Sequence, residues 1–578
     1  MKKRWIYPPL NEKLEAHIAS SLRISPLLAR LLINRGINDP DSAHAFLQPK
    51  MTDLSNPLEH PEMKKATSRL VQAVRAGERI AVYGDYDVDG VTGTALLLQF
   101  FDILKANTTW YIPQRIDEGY GLNREAIERL VSDGVDVIIT VDCGITSVRE
   151  ADILRAKGID LIITDHHEPG NDLPQALAII NPKLPDSGYS FRELSGAGLA
   201  FKLCWALAET LSMQRKVTPQ FRSFLVDAMG LAALGTIADA VPLIGENRIL
   251  ARHGLESLNR SVHPGILALK EVSDLAGSTL NPRDIGFRLG PRLNAAGRLW
   301  TATFSLELLL AQDADKAKRL AQHLEGYNRE RQKIQTEMLD STREKIKKEI
   351  DLDSTWVIVL DSESWHPGVI GIVASRLVDE FYRPTIMIAL RGNEGHGSAR
   401  SVPGFHLPEA LEASQSKLIS FGGHSQAAGL KIRKENVEDF RRLINKFAST
   451  GLKREHIQPA LYTDGELPLR GISVPQIREL EHLVPFGEGN PEPIFTAGGL
   501  RVAGRPSRVG GQAGRHLSFY VRQENAAFRA IAYGMGEMLA RVEQHAGPIS
   551  IAFTPKISNW KDEVVELDVK DIRLDQAS

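Results

Sequence analysis

The sequence has little cysteine, no long apolar run and no large excess of either charge. Two cysteines in 578 residues exclude a disulfide framework and are typical of a reducing cytoplasm. No apolar run reaches the roughly 18 residues that indicate a membrane span. The net charge of -2 excludes a general basic coat for nucleic acid, so polyanion binding must come from local patches.

The start of the chain is predicted to carry no export signal. The segment Met1 to Trp5 is basic, but Pro8 and Pro9 stand where a signal peptide needs an apolar stretch. Together with the low cysteine content, this predicts a cytoplasmic protein that does not associate with a membrane.

Short apolar strands alternate with helical segments between residues 65 and 185. Such near-continuous apolar strands favour the α/β class, with a parallel sheet covered on both faces. Sheets of this kind bind ligands beyond the carboxyl ends of their strands. The predicted strands are Arg79–Tyr83, Trp110–Ile112, Val135–Val141, Leu161–Thr164 and Ala178–Ile180.

The chain is too long for one hydrophobic core, and five segments are predicted along it. Residues 1–64 are helical and irregular, and residues 65–310 form the first α/β domain. Residues 311–352 carry a narrow apolar stripe, which predicts a long connecting helix, with a coiled coil as the alternative. A second α/β domain is predicted at 353–455, and strand-like alternation at 456–578 predicts a small β-barrel.

Acids and imidazoles follow the strands of the first domain, and a later helix also ends in an acid. Any one of them alone is more often a loop or cap residue than a ligand, but four acid-bearing ends in sequence order form a pattern. Carboxylates that converge on one sheet edge repel one another, and two divalent cations would resolve this. Oxygen ligands with imidazole suit Mn²⁺ or Mg²⁺. The residues are Asp85, Asp87, Asp89, Asp142, Asp165, His166, His167 and Asp239.

Two other families begin with a similar pattern. Asp85, Asp87 and Asp89 match the start of an EF-hand loop, but the twelfth position of that loop is Leu96 instead of Glu, so we reject it. A phosphatase of the haloacid dehalogenase type, with Asp87 as nucleophile, remains an alternative.

The motifs together resemble the DHH phosphoesterase superfamily. Asp85 to Gly90, Val141 to Gly144, Asp165 to His167 and Gly235 to Asp239 are similar to its four motifs, in order. The resemblance extends from about residue 65 to the end of the chain. Gly422 to Gly429 resembles the glycine-rich motif of the DHH-associated domain, and the exonuclease branch of the superfamily is matched by Trp365 to Arg376 and Pro485 to Pro491.

The resemblance implies roles for the acids and histidines. His167 would contact the scissile phosphate, Asp165 would orient the histidines, and His424 would approach the substrate. Asp85 stands near a position where many relatives have a histidine ligand. We predict a catalytic role for Asp85 and do not count it among the metal ligands. The implied ligands of two Mn²⁺ or Mg²⁺ ions are Asp87, Asp89, Asp142, His166 and Asp239.

The resemblance also implies removal of nucleotides from the 5′ end of a strand, which requires a pocket for a terminal phosphate. Arg115, Ser398 and Arg400 are candidates, because guanidinium groups bind phosphate with two hydrogen bonds; a surface salt bridge is the alternative for these arginines. Arg292 and Arg298 are predicted to line the path of the DNA backbone.

The last segment has a basic patch that contains aromatic residues. Between Glu492 and Glu524 the sequence has five arginines and no acid. Arg505 and Arg508 are predicted to bind a single strand on an OB-like barrel. Alternatively, the patch is a solvated loop with its aromatics in the barrel core.

The resemblance implies a single-stranded-DNA-specific 5′-to-3′ exonuclease that acts in DNA repair and recombination. One alternative is a phosphodiesterase for short oligonucleotides or cyclic dinucleotides, which needs only the two α/β domains. Another is a catalytically inactive scaffold that binds single strands, although every acid and histidine of the four motifs is present. A single-strand-binding protein or a helicase would suit such work as a partner, but no motif indicates either contact.

Overall fold

A computed structural model of the chain describes residues 3–212, 217–453, 455–510, 514–558 and 563–575. The chain forms two compact units. One consists of Met1–Lys50, Pro242–Arg248 and Pro459–Ser578, and the other of Met51–Val241 and Ile249–Gln458.

The N-terminal segment folds with the C-terminal part of the chain. Its strand pairs in parallel with Ala460–Tyr462, and the indole of Trp5 donates a 2.8 Å hydrogen bond to Asp571. Ile18, Leu28 and other helix residues share one hydrophobic core with the barrel described below. The elements of this segment are β1 (Arg4–Ile6), α1 (Glu12–Leu22), α2 (Pro26–Asn34) and α3 (Pro40–Leu47).

The first α/β domain contains a fully parallel five-stranded sheet with the strand order β3-β2-β4-β5-β6. The central strands β2 and β4 are buried along their whole length, as their continuous apolar runs require. The elements are α4 (Pro61–Ala76), β2 (Ile80–Gly84), α5 (Val88–Ile103), β3 (Thr108–Tyr111), α6 (Arg124–Ser132), β4 (Val137–Val141), α7 (Val148–Ala156), β5 (Asp160–Thr164) and β6 (Ala178–Ile180).

A helical layer completes this domain. One of its helices is long and apolar enough to cross a membrane, but 67% of that stretch is buried inside the protein, which is typical of a core helix. The helices are α8 (Gly196–Ser212), α9 (Pro219–Ala238), α10 (Gly245–Arg260), α11 (Pro264–Val272), α12 (Pro282–Asp284), α13 (Gly290–Leu299) and α14 (Thr303–Leu310).

A single helix, α15 (Ala314–Glu349), connects the two α/β domains. Its predicted apolar stripe packs inward, with Ala317, Leu324 and Met338 buried. Arg331 also lies on the buried side, where it donates hydrogen bonds to Asn328 and to another polar side chain of the same helix. The stripe is therefore the packing face of a bridging helix.

The second α/β domain has a mixed sheet with the strand order β10-β11-β9-β8-β7, in which β7 and β8 are parallel and the other pairs are antiparallel. Its elements are β7 (Ile358–Ser362), α16 (Ile370–Phe381), β8 (Thr385–Arg391), β9 (Glu394–Arg400), α17 (Leu407–Glu412), β10 (Leu418–Gly423), β11 (Ala427–Arg433) and α18 (Val437–Gly451).

The C-terminal segment forms a closed five-stranded barrel with the strand order β13-β14-β15-β17-β16. Phe495, Phe519 and Phe553 fill its interior. The predicted α/β class, connecting helix and barrel are thus confirmed. The elements are β12 (Ala460–Tyr462), α19 (Val474–Glu479), β13 (Phe495–Val509), β14 (His516–Gln523), β15 (Ala526–Ala532), α20 (Leu539–Gln544), β16 (Ile549–Ser558) and β17 (Val564–Leu574).

Candidate functional site

Acidic side chains meet at the carboxyl edge of the first sheet. Asp85, Asp142 and Asp165 directly follow β2, β4 and β5, which are neighbours in the sheet. All three are buried. Parallel strands end at the same edge, so the topology brings together carboxylates that are far apart in the sequence.

Two further acids are held at the starts of helices. Asp87 caps α5 by accepting hydrogen bonds from the backbone of Asp89 and Gly90. The carboxylate of Asp89 accepts hydrogen bonds of 2.6 and 2.9 Å from the N–H groups of Gly196 and Ala197, at the N-terminus of α8. The positive end of a helix dipole favours a carboxylate at that position.

His166 lies at the centre of this cluster. Its Nε2 is 2.9 Å from Asp142, 3.5 Å from Asp239 and 3.8 Å from Asp89, measured to the nearest carboxylate oxygen. Asp239 follows the last turn of α9, so a helix contributes an acid to the edge that the strands build.

The backbone approaches the cluster closely. A Cβ at Gly196 would lie 2.6 Å from the Cβ of Asp142, and a Cβ at Gly235 would lie 2.5 Å from the Oδ1 of Asp89. Asp142 itself has a φ of +63°, a conformation that non-glycine residues rarely adopt and that is often found at functional sites. Larger residues at either glycine would displace the carboxylates.

The carboxylates carry shifted pKa values. Burial, followed by the charges of neighbouring carboxylates, raises the pKa of Asp89 to about 7 and that of Asp85, Asp142 and Asp239 well above the ordinary range. Burial lowers the pKa of His166 to about 3, with the neighbouring His167 adding to the effect. The imidazole is therefore neutral at physiological pH and has a lone pair free for coordination.

The cluster fits a divalent metal centre. Among the described residues, Asp85 Oδ1, Asp142 Oδ1 and His166 Nε2 are buried and make no hydrogen bond, although the last two atoms lie 2.9 Å apart. Buried polar atoms without partners are rare in native proteins and often mark the place of an ion. Three overlapping groups have donor atoms within 4.8 Å of one another: Asp142, His166 and His167; Asp89, His166 and Asp239; Asp85, Asp87 and Asp142.

His167 is held by two partners next to this cluster. Its Nδ1 lies 2.8 Å from the Oδ1 of Asp165 and 2.9 Å from the hydroxyl of Tyr120. Burial alone would raise the pKa of Asp165, but the hydrogen bond and charge of His167 outweigh it, and the pKa lies below its ordinary value. Asp165 is thus a charged group in hydrogen-bond contact with the imidazole, and its orienting role stays a prediction.

The two α/β domains line a cleft of about 890 Å³, which reaches the neighbourhood of the cluster at Tyr86 and His424. The ring of His424 stacks on that of His167, with centroids 6.2 Å apart and planes inclined by 17°. Both domains contribute to the lining. Its polar residues include Tyr86, Arg115, Arg298, Ser398, Arg400 and His424.

The arginines of the cleft are close enough to repel one another. Burial, followed by the charge of Arg115, lowers the pKa of Arg298 to about 9, and the same two causes lower that of Arg400. In the described part of the chain, Arg115, Arg298 and Arg400 form no ion pair with a carboxylate. Unpaired cations gathered in a cleft create a site for an anion.

The structure does not bring Arg292 to this cleft. Its guanidinium lies 2.7 Å from the carboxylate of Glu325 on α15, and a contact with DNA stays a prediction. Arg505 and Arg508 lie in the barrel unit, on β13. Arg505 pairs with Glu543 at 3.0 Å, and Arg508 donates to the carbonyl of Gly536.

The barrel presents an exposed aromatic side chain among arginines. Tyr520 is 53% exposed, whereas the adjacent Phe519 is 2% exposed and lies in the core, as strand alternation predicts. Tyr520 is paired with Arg529 across the sheet, and Arg522 is paired with Arg501. These four side chains therefore share the outer face.

Sequence reasoning missed several residues of the site. Tyr120 stands between two glycines with φ angles of +84° and +85°. An aromatic residue flanked by two glycines in the sequence was the signal that could have indicated its role in the site. Tyr86 forms a cation–π contact with Arg115 at 4.9 Å. The cleft is also lined by Arg391, His396 and Lys431. These residues are far apart in the sequence, and only the register of the sheet brings their side chains together.

Comparisons with known proteins agree with this architecture. The chain matches the DHH family N-terminal domain over residues 79–236, the DHHA1 domain over 354–450 and the RecJ OB domain over 463–571. It is 39% identical to the single-stranded-DNA-specific exonuclease RecJ of Bacillus subtilis, over 99% of this chain and 71% of the relative. It is 36% identical to RecJ of Haemophilus influenzae, over 92% of this chain and 93% of the relative.

Solved structures are similar along almost the whole chain. RecJ of Thermus thermophilus in complex with Mn²⁺ aligns with a TM-score of 0.83 and 32% identity, and covers 99% of this chain and 80% of its own. The same protein in complex with Mg²⁺ aligns with a TM-score of 0.78 and 30% identity. This alignment covers 99% of this chain and 79% of the other.

Proposed function

Because the chain belongs to the RecJ family of single-stranded-DNA-specific exonucleases, we propose that it removes nucleotides from the 5′ end of single-stranded DNA. The bond broken is a phosphodiester, and the work belongs to DNA repair and recombination. The observation that carries this proposal is the cluster of His166 with Asp89, Asp142 and Asp239 beside a cleft of unpaired arginines.

The cluster would hold two Mn²⁺ or Mg²⁺ ions. The bound ions would activate a water molecule and stabilise the charge of the phosphoryl oxygens. Asp142 contributes to two of the three donor groups, which suits a carboxylate shared between two ions. The ligands are Asp87, Asp89, Asp142, His166 and Asp239, with Asp85 close enough to join them.

The remaining residues of the first domain position the reacting phosphate. His167 is exposed enough to contact the scissile phosphate, and its Nδ1 is fixed by Asp165, so that Nε2 faces outward. His424 approaches from the other side of the cleft. A substrate bound beside the two rings would meet the carboxylate cluster on one side and the arginines on the other.

The arginine-lined cleft would hold the terminal phosphate. Ser398 accepts a hydrogen bond of 3.1 Å from Arg400, and both lie on the same face of β9. Arg115 and Arg298 line the same space from the first domain. A 5′-phosphate bound there would neutralise three mutually repelling guanidinium groups.

The barrel would bind further nucleotides by stacking. Tyr520, surrounded by arginines on the outer face, suits base stacking combined with phosphate contacts. This feature favours a long single strand over the short oligonucleotides or cyclic dinucleotides of the alternative function. A cytoplasmic location and a partnership with a single-strand-binding protein or a helicase also belong to this proposal.

The decisive experiment uses single-stranded DNA labelled at its 3′ end, the matching duplex, and Mg²⁺ or Mn²⁺. Progressive shortening of the single strand from its 5′ end, absent from the duplex and lost in Asp142→Ala, is the expected result. Cleavage of dinucleotides alone would support the small-substrate alternative. Binding of DNA without any cleavage would contradict the proposed enzyme and support an inactive scaffold.

A further inference from the structure

The basic lining of the cleft continues beyond the arginines assigned to the terminal phosphate. Arg400, Ser398 and His396 occupy alternate positions of β9 and therefore share one face of the sheet. Alternate residues of a strand are about 6.6–6.8 Å apart, so about 13 Å of strand separates the backbone of Arg400 from that of His396, and the long side chains of the subsite must reach across this interval. Because Arg400 pairs with Ala427, close to His424, the row runs from the carboxylate cluster outward.

Two more cations lie at the outer end of this row. Lys431 on β11 is the register partner of His396, and Arg391 on β8 lies on the same face of the sheet as His396. All three line the cleft. Across residues 3–212, 217–453, 455–510, 514–558 and 563–575, no ion pair joins any of these three side chains to a carboxylate, and the one acid of the row, Glu394, is the register partner of Arg391 on the same face.

The floor of the cleft between the two groups of cations is open. A Cβ at Gly422 would meet no atom within 4 Å, and one at Gly429 would meet only the carbonyl oxygen of Gly397, at 4.0 Å. The volume of about 890 Å³ is near the upper end of the range for small-molecule sites. The cleft therefore has room for more than one terminal phosphate.

We infer that Arg391, His396 and Lys431 form a second anion subsite, which accepts the additional phosphates of a 5′ end that carries a diphosphate or triphosphate. The inference rests on the proposed function, in which Arg115, Arg298 and Arg400 hold the first phosphate. Successive phosphates of such an end would follow the row outward, away from the scissile bond.

The reaction at such an end is the ordinary hydrolysis. A water molecule adds to the phosphorus of the first phosphodiester, the P–O3′ bond breaks, and a proton of the water passes to the 3′ oxygen. The first product is one nucleoside 5′-triphosphate for each strand. The shortened strand begins with a 5′-monophosphate, and every later product is a nucleoside monophosphate.

The test compares three oligodeoxynucleotides of one sequence, with a 5′-monophosphate, a 5′-triphosphate or a 5′-hydroxyl, by kcat/KM and by chromatography of the products. The wild-type protein is expected to degrade the triphosphate strand with an efficiency within about threefold of the monophosphate strand. The ratio of the two efficiencies should fall by about tenfold in a variant with Arg391→Ala, His396→Ala and Lys431→Ala. Lys431→Met and His396→Gln, which keep the side-chain volume, should each lower it by part of that amount.

Arg433→Ala is the matched control, because Arg433 lies on β11 but outside the cleft lining, and it should not change the ratio. Resistance of the triphosphate strand to a wild-type protein that degrades the monophosphate strand would overturn the subsite. Release of pyrophosphate before any nucleotide would also overturn it. An unchanged ratio in the triple variant would do the same, since Arg391, His396 and Lys431 would then be solvated surface side chains without a phosphate to bind. Failure to degrade the monophosphate strand would overturn the proposed function, and the subsite with it.

Discussion

The imidazole rings of His167 and His424 stack at 6.2 Å with planes only 17° apart, although they belong to different domains. His167 follows a strand of the parallel sheet, and His424 follows β10 in the mixed sheet. Burial, followed by the charge of His167, lowers the pKa of His424. The imidazole of His424 is therefore the neutral member of the stacked pair. The first domain thus brings a cluster of carboxylates to the site, and the second domain brings a neutral ring together with the guanidinium of Arg400.

Replacement of the Asp142 carboxylate should raise the stability of the metal-free protein but lower its exonuclease activity. Asp142→Asn removes a buried carboxyl group whose ionisation is opposed by burial and by the neighbouring carboxylates, so at pH 8 the metal-free variant should melt about 2–4 °C higher than the wild type. Its exonuclease activity should fall by about a thousandfold, because a shared metal ligand is lost. Calorimetry in EDTA and a 3′-label assay measure the two effects.

The exposed Asp172→Asn is the control for this variant, and it should change neither quantity. A lower melting temperature for Asp142→Asn in EDTA would mean that the carboxylates do not repel one another in the folded protein.

The metal-free protein should lose stability as the pH rises from 6.5 to 8. With pKa values raised to about 7 for Asp89 and well above the ordinary range for Asp142, the folded state binds these protons more tightly than the unfolded chain does. Stability is therefore lost as the pH rises through the folded pKa values. His166, whose pKa is lowered to about 3, acts in the opposite direction only below its unfolded pKa of 6.5.

We expect the free energy of unfolding in EDTA to fall on the order of 2 kcal/mol over this interval, measured by urea denaturation. Saturating Mn²⁺ should remove the decline, because it stabilises the ionised carboxylates. A curve in EDTA that rises with pH would contradict the assignment.

Tyr120→Phe should slow the reaction without weakening the metal centre. The hydroxyl lies 2.9 Å from the Nδ1 of His167 and donates a 3.1 Å hydrogen bond to the carbonyl of Asp142. Loss of an orienting partner of this kind should lower kcat about tenfold, with KM and Mn²⁺ affinity retained. Tyr111→Phe, which loses a 2.7 Å bond to Glu118 away from the site, serves as control. Equal kcat values for the two variants would exclude a positioning role.

Arg400→Ala should weaken the preference for a phosphorylated 5′ end. Loss of one charge-assisted contact should reduce the ratio of kcat/KM for 5′-phosphate and 5′-hydroxyl strands by about tenfold or more. The effect should appear mainly in KM, because the terminal phosphate is bound before and during the reaction. An equal loss on both strands would place the guanidinium at the scissile phosphate instead.

Tyr520→Ala should affect long strands only. The dissociation constant for a 20-nucleotide strand should rise about tenfold, as expected for one lost base-stacking contact. Hydrolysis of a dinucleotide should not change. Tyr462→Ala, at another tyrosine of the same unit that is 69% exposed, should leave both quantities unchanged. Slower dinucleotide hydrolysis in Tyr520→Ala would contradict a role limited to strand binding.

The sequence was most informative where chemistry coincides with the ends of strands. Asp85, Asp142 and Asp165 could be placed at one edge because apolar runs predict the strands and parallel strands end together. The two-residue period of a strand predicts that one of Phe519 and Tyr520 faces the core, and the structure shows that it is Phe519. The family motifs then supplied roles that spacing alone could not give.

Contacts between distant segments could not be predicted in this way. The ion pair of Arg292 with Glu325 depends on how α13 packs against the connecting helix, and arginine spacing alone does not distinguish a salt bridge from a DNA contact. The same holds for Lys431 and His396, which become neighbours only through the register of two antiparallel strands.

The pairing of Arg4–Ile6 with Ala460–Tyr462 has a consequence for synthesis on the ribosome. The first helices leave the exit tunnel early, but the barrel residues that share a core with Ile18 and Leu28 are translated about 470 positions later. At ordinary elongation rates this interval lasts roughly 25 to 95 s. During that time the nascent chain exposes an apolar surface, so the N-terminal segment depends on chaperones, or on transient contacts of its own, until translation is complete.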